Sequence, residues 1–167
     1  MGVAAENAIL LCDGLLEKDL QLPELLVLLL RRFARHPAPS VRVPILLKLP
    51  YLISKMPDLG WEIFNDILSE PQEKLWGHAE RCFYYNYREH FDRVEPYLNR
   101  IKHEAMADVG DVWGRIAALA CLSGHLTQEQ LFLSLAITSV KPWNGVVQVF
   151  CANLDRQEHN RICHDGL

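Results

Sequence analysis

Three segments of this chain begin with Trp and continue as apolar helical runs, at Trp76, Trp113 and Trp143. The last two can be aligned, because Trp113 precedes Cys121 and Trp143 precedes Cys151 by the same interval, with apolar residues between. Self-similarity at a spacing of about 30 to 40 residues is typical of repeat architectures, whose units cannot bury their hydrophobic sides alone. The recurrence therefore predicts tandem helical units, and such stacks commonly serve as surfaces that hold another molecule.

The remainder of the chain is also predicted to be helical. Apolar residues recur at helical spacing, and Val, Ile and Thr nowhere alternate with polar residues over the length of a strand. The expected helices cover about 4–17, 23–34, 40–54, 58–68, 71–87, 92–106, 112–123, 128–138 and 142–155, followed by a polar tail over 156–167.

Boundary residues predict where several of these helices begin and end. Ser69-Glu-Pro-Gln and Thr127-Gln-Glu-Gln have the spacing of a capping box. Gly124 is placed for a left-handed stop at a helix end. Pro50 should kink or split the third helix, since it lacks an N–H and its ring crowds a preceding carbonyl. Gly110-Asp111 should break the chain before the seventh helix.

The connections between these helices are short, so consecutive helices should pack antiparallel as neighbours. Pairs begin near residues 20, 57, 91 and 126, a period of about 34 to 37 residues. No Gly- or Ser-rich linker divides residues 1–167. The predicted fold is therefore one all-α domain, a right-handed α-α superhelix (solenoid) of about four antiparallel helix pairs. A compact, non-repeating helical bundle is the alternative.

One stretch of sequence resembles a known repeat family. Pro39-Ser-Val-Arg-Val-Pro-Ile-Leu-Leu is similar to the start of the second helix in HEAT-type (armadillo-type) repeats, where Pro or Asp shortly precedes a Val-Arg pair and aliphatic residues. Val112-Trp-Gly-Arg-Ile-Ala-Ala-Leu-Ala is a looser match with its Arg displaced, and the segments at Trp76 and Trp143 lack the Arg. The resemblance implies a sensor or adaptor unit like the repeat regions of bacterial signalling NTPases. The chain itself has no Gly-x-x-x-x-Gly-Lys-Ser/Thr phosphate loop.

The densest group of candidate binding residues lies in the run from Arg81 to His90. On a helix Arg81, Tyr85 and Arg88 share one face, whereas Phe83 and Tyr87 continue a second face from Trp76 and Ala79. The second face should pack and the first should meet solvent. Arg and Tyr are enriched at interface hot spots, so the predicted partner-binding residues here are Arg81, Tyr84, Tyr85 and Arg88. The alternative is a solvated face in which the arginines pair with Glu80, Glu89 or Asp92.

Arg42 and Arg115 complete the predicted partner-binding set. Each lies near the start of a second helix, and the second helices of a solenoid line its concave side. Two interpretations are open. The arginines form a ladder in which each bonds carbonyls or an acid of the next repeat, or they contact a ligand.

Composition narrows the class of protein. The formal charge is 17 − 21 = −4, which argues against a chain whose main task is to coat nucleic acid. Five cysteines without a Cys-x-x-Cys pair fit buried, reduced thiols in a cytoplasmic protein. The longest aliphatic stretch, Leu25 to Leu30, is too short to cross a bilayer. No membrane segment and no signal peptide is expected.

No pattern in the chain predicts catalysis or a cofactor. No catalytic triad, paired-carboxylate motif or His-Glu-x-x-His occurs. His159 with Cys163 and His78 with Cys82 have i, i+4 spacing, but a metal would need further ligands that the nearby sequence does not supply. We expect no enzyme activity, no metal and no cofactor.

Three hypotheses about function follow. The first is a non-catalytic scaffold or sensor module that binds a protein partner on its concave face. The second is a helical-repeat DNA-binding protein or DNA glycosylase-like enzyme, in which the Tyr and Arg side chains near residue 85 would line a basic groove. The third is one segment of a larger repeat array or an end-to-end homodimer, because the last helices lack a polar cap. A tail folding back from residue 156 would also supply cover, and the residues that need it are Leu133, Leu135, Val147, Val149 and Phe150.

Overall fold

The computed structural model describes residues 1–69, 73–136, 138 and 140–166, with backbone alone at 73 and 74. These residues form helices and no strands, which confirms the all-α prediction. The helices are α1 (Gly2–Leu16), α2 (Glu24–Ala34), α3 (Pro39–Lys55), α4 (Pro57–Ile67), α5 (Glu73–Asn86), α6 (Phe91–Glu104), α7 (Met106–Leu122), α8 (Gln128–Leu135), α9 (Val140–Asn153) and α10 (Asn160–Asp165).

The chain divides into two compact units, Met1–Cys82 and Phe83–Leu167, and each is described by itself. The prediction that residues 1–167 form one domain stays a prediction. None of the helices in the described ranges has the length and hydrophobicity that crossing a bilayer requires.

In the first unit α1 packs on α3, α2 packs on α4, and α3 also contacts α2 and α4. The buried side of α2 consists of Leu26, Leu30 and Ala34, whose four-residue spacing keeps them on one helix face. The Cys82 thiol of α5 donates to the Leu46 carbonyl of α3 at 3.5 Å. The unit is therefore held by contacts between neighbouring helices as well as between helices two apart in the chain.

Two ion pairs bridge the exposed sides of α2 and α4. Arg31 makes a bidentate contact with Glu62, with Nε–Oε1 at 2.7 Å and Nη2–Oε2 at 2.8 Å. One turn further on, Arg35 Nε lies 2.9 Å from Asp66 Oδ2. The hydrogen bond to Arg31 lowers the pKa of the Glu62 carboxyl. Both pairs are partly exposed, with side-chain exposures of 39% for Arg31 and Glu62, 62% for Arg35 and 15% for Asp66, so each should add only modestly to stability.

Several predicted boundaries hold and others need correction. The Thr127 capping box is confirmed, with Gln130 N donating to Thr127 Oγ1 at 3.1 Å. Gly124 has a φ of 81°, which confirms the predicted left-handed conformation at the helix end. The capping box at residues 69–72 lies outside the described residues.

The split predicted at Pro50 is absent, whereas the break predicted at Gly110-Asp111 is present one residue earlier. α3 runs without interruption from Pro39 to Lys55, so Pro50 does not split it. Its buried residues on both sides of Pro50 hold the helix together despite the lost backbone hydrogen bond. The irregularity in α7 lies at Val109 (φ −123°, ψ 26°), one residue before the predicted Gly110-Asp111 break, and the helix already begins at Met106.

In the second unit α7 contacts α6 and α8 and packs most extensively on α9. Two glycines allow this packing. A Cβ at Gly114 would stand 2.0 Å from the Pro142 carbonyl oxygen, and one at Gly145 would stand 2.2 Å from the Asp111 carbonyl oxygen. The backbones of α7 and α9 therefore touch at this crossing, which only residues without side chains permit.

The tail contains a helix that the sequence did not predict, α10, and it packs on α9. Gln128 Nε2 donates to the Ile162 carbonyl at 2.9 Å, and Cys163 is fully buried. The residues that were expected to need cover divide into two groups. Leu135, Val149 and Phe150 are buried, whereas Leu133 and Val147 remain 65% and 42% exposed.

Candidate binding surface

The two predicted faces of α5 are present. Trp76, Ala79, Phe83 and Tyr87 are buried, which confirms the packing face. Arg81, Tyr84, Tyr85 and Arg88 are all exposed. Arg81 belongs to the first unit and the other three belong to the second. We call Tyr84, Tyr85 and Arg88 the Tyr-Arg surface and treat Arg81 separately.

The rings of the Tyr-Arg surface are held against each other. Tyr84 and Tyr85 are 54% and 60% exposed, and their ring centroids lie 5.6 Å apart at an interplanar angle of 84°. Tyr84 also contacts the buried Tyr87, at 6.3 Å between centroids. Edge-to-face contacts of this kind are favourable because of the ring quadrupole. A partner would contact the apolar faces of these two rings and their hydroxyl groups. Fixing such rigid side chains on binding costs little conformational entropy.

The backbone beneath Arg88 is anchored to a second turn. His125 Nε2 donates to the Arg88 carbonyl at 2.9 Å, and since a carbonyl only accepts, this contact places the proton on Nε2. The His125 ring stacks on Phe91, with centroids 4.9 Å apart and planes at 17°. The turn between α5 and α6 is thereby held to the turn between α7 and α8. Sequence reasoning missed His125, because a His after a helix-ending Gly carries no signal of a contact 37 residues away.

Arg42 is buried, so almost none of its side chain is open to a partner. The residue is 1% exposed. Its Nη1 donates to the Ile67 carbonyl at 3.0 Å and its Nη2 to the Pro37 carbonyl at 3.4 Å. Ile67 ends α4, so the negative end of that helix helps to compensate the guanidinium, and Pro37 lies in the connection between α2 and α3. The bonds to these two carbonyls match the ladder interpretation for this residue.

Arg115 is also engaged within its own unit. Its Nη1 lies 3.0 Å from Asp111 Oδ2 on the same helix and donates to Gln148 Oε1 on α9 at 3.2 Å. The side chain keeps 24% exposure. Arg115 therefore joins α7 to α9, and its remaining exposed surface is small.

A cavity of about 320 Å³ lies between α6, α7 and α8. Its floor is apolar and includes Leu98, Trp113 and Leu131. On its rim Lys102 Nζ donates to Ser134 Oγ at 3.2 Å. The volume is at the lower end of the roughly 300–1,000 Å³ range of ligand pockets. Its described lining offers Glu95 and Lys102 as charged groups and no nucleophile beside a base, so it can receive an apolar group.

The cysteines lie mostly in the core. Cys12, Cys82, Cys121 and Cys163 are buried, as predicted, whereas Cys151 is exposed. Burial raises the pKa of the Cys12 thiol to about 11 and raises those of Cys82, Cys121 and Cys163. Over the described ranges, no three His, Cys, Asp or Glu side chains are grouped as metal ligands would be.

Asp13 of α1 is a partly buried carboxyl whose Oδ1 has no hydrogen-bond partner in the described structure. Burial, and to a lesser extent the charge of Glu17, raise its pKa from 3.8 to about 6, against the opposing charge of Lys48. The folded state therefore binds this proton more tightly than the unfolded state. The stability that protonated Asp13 contributes is complete below about pH 4 and is lost as the pH rises through about 6.

We expect Asp13→Asn to flatten the pH dependence of unfolding between about pH 4 and 6. At pH 7.5 the variant should be more stable by about 1 kcal/mol, a figure reduced because solvent reaches part of the carboxyl. Urea unfolding at pH 4 and pH 7.5 measures both effects. Asp155→Asn, which changes an exposed acid, is the control. If the free energy of unfolding of Asp13→Asn changed with pH as steeply as that of wild type, the pH dependence would not come from Asp13.

Comparisons with protein-family models, curated proteins and solved structures find no match to this chain.

Proposed function

We propose that this chain is a non-catalytic scaffold or sensor module that binds a protein partner through the Tyr-Arg surface. The observation that carries the proposal is the exposure of Tyr84 and Tyr85, each more than half exposed beside exposed Arg88. Tyr and Arg dominate interface hot spots, because they combine large contact area with polar atoms that give direction. The anchored backbone at Arg88 supports the proposal, since a surface fixed in advance loses less entropy when it binds.

We further propose that the helices form a right-handed solenoid of HEAT-like antiparallel pairs, with the second helices on the concave side. Contacts of α1 with α3, α2 with α4, and α7 with α9 support it, because stacked pairs place each helix against the one two positions later. Arg42 also supports it, because its bond to a carbonyl of α4 fits a ladder in which each Arg bonds carbonyls or an acid of the next repeat. A cytoplasmic location, in keeping with four buried thiols, is part of the proposal.

Site-specific photo-crosslinking in the native host tests the function. p-Benzoylphenylalanine at position 85 should give a discrete crosslinked product, whereas the same group at exposed position 157 should not. Equal crosslinking at both positions, or none at position 85, would count against the Tyr-Arg surface. Incubation with duplex DNA at low salt tests the alternative, because binding that weakens steeply with salt would favour a DNA-binding protein.

Once the crosslinked partner is identified, Tyr85→Ala and Arg88→Ala should each weaken its binding about tenfold or more, which is about 1.4 kcal/mol. Both side chains are exposed, so the midpoint of thermal unfolding should change little. Isothermal titration measures the affinity. Arg93→Ala is the matched control, because Arg93 is an exposed Arg of the same unit with 55% side-chain exposure. If Arg88→Ala and Arg93→Ala lost equal affinity, the partner would be responding to positive charge in general and not to the Tyr-Arg surface.

A further inference from the structure

The outward face of α9 is apolar. Val140 is 71% exposed, Trp143 37% and Val147 42%, and Cys151 is also exposed. Intervals of three, four and four residues place these four side chains on one helical stripe, which we call the α9 stripe. A helix at the surface of a folded unit normally carries charged or polar residues on that face. An apolar stripe there indicates a surface that another molecule covers.

Charge is scarce along the whole of α9. Lys141 is the one charged residue of the helix, and its Nζ donates to the Asp108 carbonyl at 3.3 Å. Uncharged Asn144 and Gln148 flank the stripe. The outward side of α6, in the same unit, differs, with exposed Asp92, Arg93, Glu95 and Glu104. None of the four side chains of the α9 stripe carries a charge, so burying them does not desolvate one of their own, which would be costly.

The internal repeat indicates what kind of structure covers such a stripe. Trp113 and Cys121 of α7 align with Trp143 and Cys151 of α9. On α7 they are only 5% and 3% exposed, and Trp113 lines a cavity together with residues of α6 and α8. On α9 the equivalent Trp143 stacks on Phe132 of α8, with ring centroids 6.0 Å apart, yet stays 37% exposed, and Cys151 is exposed. Since helices cover these positions on α7, a helix is the shape that fits the α9 stripe.

We propose that the α9 stripe pairs with the same stripe of a second copy of this chain, with the two α9 helices antiparallel. A two-fold axis brings one patch against its own copy, and an uncharged stripe can meet itself without like charges in contact. The antiparallel direction follows from charge. It brings Lys141 near exposed Asp155 and the negative end of α9 in the second copy. The parallel direction would instead place the two copies of Lys141 together.

This pairing has a definite register. With the two-fold axis near the middle of the stripe, Val140 of one copy lies opposite Cys151 of the other. The two Cys151 residues are then about 17 Å apart along the helices, from eleven residues at about 1.5 Å each. An interface this short is at the small end of specific interfaces, so we expect a weak dimer with a dissociation constant in the micromolar range or above.

Sedimentation equilibrium at several concentrations tests whether the dimer forms and where. Wild type should pass from monomer to dimer, and Val147→Lys should weaken the association at least tenfold. Leu28→Lys is the matched control, because Leu28 is 51% exposed on α2 in the first unit. It should leave the dimer intact. Wild type that stays monomeric throughout would overturn the proposal, as would a dimer abolished by Leu28→Lys and unaffected by Val147→Lys. Unchanged thermal unfolding confirms that both variants fold.

Disulfide crosslinking tests the direction. After oxidation with copper phenanthroline, Val140→Cys should yield a covalent dimer through Cys151 of the second copy, because a disulfide needs Cα atoms within about 7 Å. Wild type should not crosslink, and Val140→Cys combined with Cys151→Ser should lose the product. A wild-type dimer linked through Cys151 would overturn the antiparallel arrangement. The stripe lies on a different helix from the Tyr-Arg surface, so either proposal can fail without the other.

Discussion

Gly114→Ala is expected to destabilise the second unit by roughly 3 kcal/mol or more, because the new methyl group meets backbone atoms that cannot rotate away. The Cβ would stand 2.0 Å from the Pro142 carbonyl oxygen and 2.9 Å from its carbon. Intrinsic helix propensity predicts the opposite sign, a gain of up to about 1 kcal/mol for Ala over Gly. The steric cost should exceed the gain in helix propensity, because the methyl group forces α7 and α9 apart along the most extensive contact of the unit.

Two companion substitutions sharpen this prediction. Gly145→Ala acts at the same crossing, where its Cβ would lie 2.2 Å from the Asp111 carbonyl oxygen. The Gly114→Ala and Gly145→Ala double variant should therefore cost less than the sum of the two, because one separation of the helices relieves both clashes. Gly14→Ala is the control, since no atom lies within 4 Å of its added Cβ. It should stabilise the first unit by about 0.5–1 kcal/mol.

Urea unfolding followed by circular dichroism measures all four variants. If Gly114→Ala raised stability as Gly14→Ala is expected to do, the close approach of α7 and α9 would be wrong. At the crossing the backbones of α7 and α9 lie against each other, so only residues without a side chain fit at positions 114 and 145.

The parts of the fold that the sequence predicted are those set by neighbours in the chain. The Thr127 capping box and the left-handed Gly124 depend on residues within one turn, and both were found. The exposed tyrosines followed from helical periodicity alone, because a buried Phe83 and Tyr87 leave Tyr84 and Tyr85 outside. Periodicity could not show the ring contacts between them, which depend on side-chain rotamers.

Features that depend on contacts distant in sequence were not predicted. The role of Gly114 depends on Pro142, and α10 has a polar sequence that gives no helical stripe. Its position depends on contacts to α9 and to Gln128. The burial of Arg42 was one of two interpretations of the same motif, because the Val-Arg pair alone does not reveal which carbonyls lie within reach of the guanidinium.

Arg42→Ala should destabilise the first unit by about 3 kcal/mol, because it leaves a cavity and removes the hydrogen bonds to the Ile67 and Pro37 carbonyls. Arg115→Ala, the looser match in the family motif, is the control. Its side chain is 24% exposed and solvent can replace its lost partners, so the cost should be at most about 1 kcal/mol. Urea unfolding of both variants measures the difference. If the two variants lost the same free energy of unfolding, the deeper burial of Arg42 would not account for its contribution to stability.

Arg42→Met separates the charge of the side chain from its volume. Arg42 Nε has no hydrogen-bond partner among the described residues, so part of the guanidinium is desolvated without compensation. Met fills a similar volume, carries no charge and leaves the two carbonyls to find other donors. We therefore expect Arg42→Met to cost less than Arg42→Ala, with a difference of about 1 to 2 kcal/mol from the cavity that Ala leaves. If Met cost as much as Ala, the hydrogen bonds to the Ile67 and Pro37 carbonyls would account for the whole effect, and the packing of the Arg42 side chain would contribute nothing.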